Sequence, residues 1–371
     1  MKNPFRPSFG LNPNILAGRA GLLRGFSLAF AEGIGAPLRV SLLSGPRGTG
    51  KTVMLHHIES LAREQGWIVL RAFPRAGMID NLIDPTIANA LAELDTTSIP
   101  LTRRISGVSV GGFSLNTEMV TAPQSRKTLN TQLRALSHAV SKHGAGILIS
   151  LDEVQSAQVE ELAELATAIQ DLIRDECDIA FAAAGLPEGI YALLDHPGTT
   201  FLRRAEHIQL GKLSSEDVKT SFVETITSAG REVTKDAVEE ATRIIRGYPY
   251  LLQVVGSLAW AAASLENSTT VELSHVHSIA DDAQLRMKTH VHQPALRKVP
   301  ESQRNFLHAM AEVADGETAR IKDIAQHLNT TTSALSARRR ALLESGIITA
   351  PKRGELEFSL PYLKEYLQSD Y

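Results

Sequence analysis

The chain has 371 residues, 43% of them hydrophobic and 21% charged, a composition that builds packed cores and excludes a disordered or fibrous polypeptide. At this length two or three domains are expected. Lys plus Arg number 38 against 41 Asp plus Glu, a formal net charge of -3, so there is no global basic field for nucleic acid and any such contact must rest on a local patch.

Cys177 is the single cysteine, which rules out an intrachain disulfide and fits a reducing compartment. The twelve histidines show no metal-ligand spacing, and His56-His57 reads as surface or packing. No apolar run reaches membrane-spanning length. Met1-Lys2-Asn3-Pro4-Phe5-Arg6-Pro7 lacks the apolar core of a signal peptide, so the expectation is a cytoplasmic protein without a membrane partner.

In chain order, the Pro-rich residues 3–14 read as an extended arm lying on a domain. Ile15-Leu16-Ala17-Gly18-Arg19 then precedes a helix at about 20–32. This apolar turn either walls an adenine base or is a plain loop packed on a sheet. Arg39-Val40-Ser41-Leu42-Leu43 is short, apolar and partly β-branched, as a buried parallel strand should be. Ser44-Gly45-Pro46-Arg47-Gly48-Thr49-Gly50-Lys51-Thr52 follows, with the pattern G-x-x-x-x-G-K-[ST], and residues 53–64 have helical spacing. In such a strand–loop–helix unit, glycines let backbone N–H groups turn toward phosphates without a Cβ in the way. The helix N-terminus adds its positive dipole end. Lys51 would reach the β and γ phosphates, and the Thr52 hydroxyl would ligate Mg²⁺.

A second strand is expected at 67–73 and a helix at about 81–94. Residues 107–116, with Gly111-Gly112 at the centre, alternate as a β-hairpin that interrupts the α/β pattern. A long amphipathic helix at 124–143 leads into Gly146-Ile147-Leu148-Ile149-Ser150-Leu151-Asp152-Glu153, an apolar strand ending in two acids. Asp152 would hold the Mg²⁺ water shell and Glu153 would act as general base on the attacking water. The bland alternative is an acidic cap for the helix at 158–174.

Residues 178–184 form a fourth strand. Ala184 and Gly185 stand at its end, where many P-loop ATPases carry a polar residue that senses the γ phosphate; that sensor is absent or displaced. Arg203 and Arg204 precede a fifth strand at 207–210. They read either as a finger on a neighbouring subunit's ATP or as a solvated pair. Helices are expected at about 215–229, 234–246, 249–265 and 272–289. Pro249 can press on adenine, and Arg243 or Arg246 could face the phosphates. His292-Gln293-Pro294 breaks the helix and marks a boundary.

The last segment has three helices, at 301–313, 321–328 and 333–345. Two strands, 347–350 and 356–359, flank Lys352-Arg353-Gly354. That is the order of a winged helix-turn-helix. On DNA its third helix would present Thr331, Thr332, Ser336 and Arg340 to the major groove, and Lys352 and Arg353 to phosphate. The alternative is a protein-contact or autoinhibitory module.

Taken together, these stretches resemble the AAA+ and STAND-type P-loop ATPases, in particular bacterial and archaeal ATPases with an origin-recognition-like layout. The resemblance covers nearly the whole chain, and residues 15–19, 45–52 and 147–153 carry most of it. It implies an α/β fold: a P-loop NTPase parallel sheet with an α-helical lid and a C-terminal winged-helix domain. The expected divisions are an ATPase core at 1–211, a lid at 212–294 and a winged helix at 295–371. It also implies binding of ATP or ADP by Gly45, Pro46, Arg47, Gly48, Thr49, Gly50, Lys51 and Thr52, with an adenine pocket near Leu16, Ala17 and Pro249. Mg²⁺ is expected at Thr52 and Asp152, and catalysis by Glu153 and Lys51, with Arg203 and Arg204 as candidate fingers. The missing polar sensor argues for a slow, nucleotide-controlled regulatory switch rather than a motor. Duplex DNA, self-association or a protein trigger are the expected partners. The competing reading is a STAND-like signalling ATPase that holds ADP.

Overall fold

The computed structural model describes residues 2–8, 12–96 and 127–369. The expected hairpin at 107–116 lies outside them. A five-stranded parallel sheet is built from β1 (Val40–Ser44), β2 (Ile68–Ala72), β3 (Ile147–Leu151), β4 (Ile179–Gly185) and β5 (Glu206–Gln209). Its order is β2-β3-β4-β1-β5. Every residue of β3 and β4 is buried, which explains why both read as unbroken apolar runs: helices cover the two faces of a parallel sheet.

One face packs against α1 (Ala20–Glu32) and α2 (Lys51–Glu64), through Phe26, Phe30, Met54 and Ile58. The other packs against α3 (Leu129–Ser141), α4 (Val159–Arg174) and α5 (Pro187–Asp195), with Leu133, Leu136, Leu165 and Ile169 in the core. Two buried charges tie these layers together. Arg39 pairs with Asp178 at 2.7 Å and lies 4.7 Å from the Trp67 ring centroid. Glu59 accepts hydrogen bonds from Arg71 and from Ser150, the latter at 2.7 Å. Burial alone would raise the Glu59 pKa, but its hydrogen bonds from Arg71 and Ser150 outweigh that and hold it below the usual range.

After the sheet come α6 (Ser215–Ser228), α7 (Lys235–Ile245) and α8 (Pro249–Leu265). Ser214 caps α6 through the Asp217 N–H at 3.0 Å, and Thr234 caps α7. The N-terminal arm lies on this helical layer. Phe5 is buried against Phe222, and Asn3 donates to the Ser257 carbonyl at 3.0 Å.

Past two shorter helices, the expected break at His292-Gln293-Pro294 does not occur. A wide helical turn, Lys288–His292, runs directly into Gln293–Leu296. Pro294 sits in the first turn of that segment, where its missing N–H costs no helical bond.

The C-terminal unit comprises α9 (Glu301–Val313), β6 (Thr318–Arg320), α10 (Ile321–His327), α11 (Ser336–Glu344), β7 (Ile348–Thr349), β8 (Glu355–Phe358) and α12 (Leu363–Ser369). Its antiparallel sheet has the order β6-β8-β7. Strand β6 and helix α12 were not foreseen from the sequence, and neither was α5 behind Pro187. The third helix starts three residues later than expected, because residues 332–335 form a turn. Phe306, Leu307, Met310, Leu342 and Phe358 lie in the same hydrophobic cluster as Phe222, Leu251 and Trp260 of the helical layer. These two parts therefore share one core, whereas the sheet has its own.

Candidate active site

The P-loop leaves β1 at Ser44 and enters α2 at Lys51. Gly48 and Gly50 both have positive φ, 74° and 89°, a backbone that favours glycine. At Gly48 there is a second reason: a Cβ would collide with the Tyr248 hydroxyl. Thr49 donates to the Pro46 carbonyl at 2.9 Å. Lys51 donates to the carbonyls of Gly45 at 2.9 Å and Pro46 at 2.8 Å. Burial pushes the Lys51 ammonium down to about 8, with Glu153 and Asp152 opposing and Arg47 assisting.

Register brings the second half of the site alongside. Ser44 pairs with Gly185, and Leu151 with Ala183, so the ends of β1, β4 and β3 lie next to one another at the sheet's carboxyl edge, where ligands of such folds bind. Thr52 donates to the Asp152 carboxylate at 2.6 Å. These are hard oxygen donors of the kind Mg²⁺ takes. Glu153 has left-handed backbone, φ 55° and ψ 48°, and its carboxylate accepts a hydrogen bond from Gln155.

A cavity of about 500 Å³ opens beside this edge, within the usual size for a small-molecule site. Arg47, Gly48, Lys51, Thr52 and Glu153 line it, and so do Leu16, Ala17, Pro249 and Tyr250. Residues 47–52 thus share one cavity with Leu16, Ala17 and Pro249, while Gly45, Pro46 and Asp152 of the predicted set do not line it. Sequence reasoning missed Tyr250, Leu213 and the arm residues Pro7 and Pro13 on its wall. It also missed Tyr248, which donates to the Arg47 carbonyl and so ties the helical layer to the P-loop. A larger cavity of about 1030 Å³ lies between Arg47, the start of α5 and the C-terminal unit. It lacks Lys51 and Thr52, which line the smaller one.

Four arginines lie elsewhere. Arg243 pairs with Glu240 at 2.6 Å. Arg246 pairs with Glu317 at 3.2 Å and Glu365 at 2.9 Å and lies 3.8 Å from the Tyr362 ring centroid. Neither lines the nucleotide cavity, because acids of α7 and of the C-terminal unit hold them away from it. Arg203 and Arg204 are exposed, and Arg203 donates to the Leu194 carbonyl at 3.1 Å.

The C-terminal unit also reaches the P-loop. A Cβ built on Gly346, which follows α11, would lie 3.4 Å from Pro187 Cδ and 3.7 Å from Pro46 Cα. Lys212 bridges to Glu317 at 2.8 Å and Glu357 at 2.7 Å, and Tyr362 donates to the Ile244 carbonyl at 2.8 Å. Thr331, Thr332, Ser336, Arg340, Lys352 and Arg353 remain exposed.

Residues 15–177 match the AAA ATPase domain. The chain carries an AAA ATPase domain over those residues and is an ATPase. Residues 289–367 match a domain of unknown function, DUF8462. Among solved structures, the Walker-type ATPase PABY2304 of Pyrococcus abyssi is 16% identical with a TM-score of 0.65, the alignment covering 96% of this chain and 97% of that one. The Aeropyrum pernix ORC2 protein, solved as ADPNP-ADP complexes, is 16% identical with a TM-score of 0.63, covering 97% and 94%. Cdc6p from Pyrobaculum aerophilum is 16% identical with a TM-score of 0.50, covering 98% and 95%. This chain shares their fold. No curated protein matches it, and no described helix is long and apolar enough to cross a membrane.

Proposed function

We propose that this ATPase is a slow, nucleotide-controlled regulatory switch whose C-terminal unit reports the state of the P-loop to duplex DNA. It would work in three parts: a core at 1–211, a lid at 212–294 and a winged helix at 295–371. ATP would lie with its base between Leu16, Ala17, Pro249 and Tyr250 and its phosphates on residues 45–52. Thr52 and Asp152 would hold Mg²⁺, which supplies charge neutralisation at the phosphates. Glu153 would take a proton from water as the water attacks the γ phosphorus and the bond to the β-phosphate oxygen breaks, giving ADP and phosphate. The complexes of the Aeropyrum protein are in keeping with nucleotide in this cavity.

The observation that carries the switch is the approach of Gly346 to Pro46. The turn that would cradle phosphate lies beside the unit that would bind DNA, so nucleotide and C-terminal position would be energetically linked. For DNA, the supports are the helix–strand order of the unit and the exposure of its candidate contacts. The ion pairs of Lys212 and Arg246 with Glu317, Glu357 and Glu365 favour a second reading, in which the same unit locks ADP in place until a protein partner releases it.

Single-turnover ATP hydrolysis and duplex anisotropy together test both. Under the first reading, duplex binding weakens with salt, differs between the ATP and ADP forms, and drops when Lys352 and Arg353 are replaced by Ala, with a salt slope smaller by about 2. Duplex binding insensitive to that double change overturns the wing assignment. ADP retained through purification, with hydrolysis that ignores duplex, selects the lock. In either case Glu153→Gln is expected to slow hydrolysis about 100-fold or more.

A further inference from the structure

The end of β4 carries Ala184 and Gly185, with no polar side chain to meet a γ phosphate, yet the space there is not vacant. A Cβ placed on Gly185 would lie 2.9 Å from Gln155 Oε1 and 3.2 Å from Val154 Cβ. The backbone at Gly185 is not left-handed, so the demand for glycine there is one of room. A Cβ on Gly189 would likewise lie 2.7 Å from Gln155 Cβ and 2.8 Å from its backbone nitrogen. Two glycines, one on β4 and one on α5, thus form a niche for this side chain.

Both ends of its carboxamide are engaged. Oε1 accepts from the Leu186 N–H at 3.0 Å, and Nε2 donates to the Glu153 carboxylate. Ser44, the last residue before the P-loop, lies next to Gly185 across the sheet. A neutral amide therefore stands between the strand that launches the phosphate loop and the acid that would activate water.

We propose that Gln155 is the polar group missing from β4: its carboxamide fills the place of a side chain at position 185 and fixes Glu153 against the γ-phosphate side of the cavity. It is a positioning residue. It holds the carboxylate from one side while the Leu186 N–H fixes the amide's orientation. A carboxylate held by a donor loses less orientation entropy when it engages water than one free to rotate. The inference rests on Glu153 being the general base and says which residue aims it.

The test compares single-turnover hydrolysis and ADP affinity in the full chain for wild type, Glu153→Gln, Gln155→Ala, Gly185→Asn and the double variant Gln155→Ala with Gly185→Asn. Gln155→Ala should slow hydrolysis about tenfold and leave ADP affinity within about twofold, because Gln155 does not line the nucleotide cavity. Gly185→Asn alone should also slow it, since its side chain displaces the amide. The double variant should run several-fold faster than Gln155→Ala, because the introduced carboxamide then has the vacated niche. Hydrolysis at the wild-type rate in Gln155→Ala, with Glu153→Gln slow, overturns the proposal and leaves the base assignment standing. Wild-type rates in both overturn the base assignment and this inference with it. ADP affinity falling in step with rate, or a double variant no faster than Gln155→Ala, also overturns it.

Discussion

Inside the P-loop, polar contacts close on the backbone over short stretches of chain, while Thr52 to Asp152 and Tyr248 to Arg47 reach it from far along the chain. Lys51 reaches carbonyls of Gly45 and Pro46, and Thr49 reaches Pro46. At the seam beneath the C-terminal unit, side chains meet side chains across long separations. Lys212 and Glu357 are 145 residues apart, and Arg246 and Glu365 are 119 apart. The inner contacts of the first region are specified locally, by residues a few positions apart. The second exists only when remote elements dock, and its ion pairs are half-exposed and laid over a shared apolar core. A locally specified cradle beside a dissociable seam is what a switch requires: chemistry must stay registered while one neighbour moves.

The largest expected effect tests the shared core. Phe306 lies on α9 and is fully buried with the residues of the helical layer. Phe306→Ala should cost about 3–5 kcal/mol. Because the layer and the C-terminal unit pack as one cluster, the loss should appear in both. Trp260 reports the layer and Trp67 the sheet, and both are buried. In urea, a Trp67→Phe background should show the Trp260 transition moving to lower denaturant with the mutation. A Trp260→Phe background should show the Trp67 transition moving much less. Equal shifts in the two backgrounds would mean the chain unfolds as a single unit and the contrast between sheet and seam is wrong.

A smaller effect belongs to the cradle. The Lys51 pKa lies at about 8, below its ordinary value, chiefly through burial. Phosphates favour the charged form, so binding in the free protein must take up a proton once pH exceeds that value. Nucleotide affinity should therefore be flat below pH 8 and weaken above it, by at most about tenfold per pH unit. The sign for folding is opposite: a lysine with a depressed folded pKa favours the unfolded state below about pH 8, and that penalty fades as pH rises toward 10.5. Nucleotide titrations at pH 7, 8 and 9 on wild type and Lys51→Met would show the dependence in the first and its loss in the second. A dependence that survives Lys51→Met would belong to another group.

The same contrast decides what could be read in advance. Strand, glycine loop and helix are consecutive, so residues 45–52 and the acids after β3 declare themselves through local pattern. Leu16, Ala17 and Pro249, which line the cavity, were legible for the same reason, each standing beside a turn signal. Tyr248 was adjacent to a recognised residue, yet its role depends on a carbonyl 201 positions away. Gln155 had one weak signal, a polar residue two places after the acids, and its meaning comes from Gly185 and Gly189, on elements that follow much later in the chain. The helix through Pro294 defeated a rule that treats proline as a stop, because a wide turn placed it at a new helical start. Arg246 looked free to reach phosphate because its three partners, Glu317, Tyr362 and Glu365, all lie in the last part of the chain.

The smallest effect is the most discriminating for the seam. Lys212 is about one-third exposed and bridges Glu317 and Glu357. Burial would lower its pKa, but its hydrogen bonds to the two carboxylates overcome that and raise it. Half-exposed pairs of this kind contribute about 0–1 kcal/mol, less as salt screens them. A double-mutant cycle between Lys212→Ala and Glu357→Gln should give a coupling below about 1 kcal/mol at 50 mM salt, shrinking toward zero at 500 mM. That result would assign cohesion of the seam to the apolar cluster and the packing of Gly346 on Pro46, and leave the ion pairs to set the docked register. A coupling above about 2 kcal/mol that resists salt would mean the pair is effectively desolvated. Release of the C-terminal unit would then require breaking charge pairs, and the seam would behave as a latch rather than a surface that nucleotide can tip.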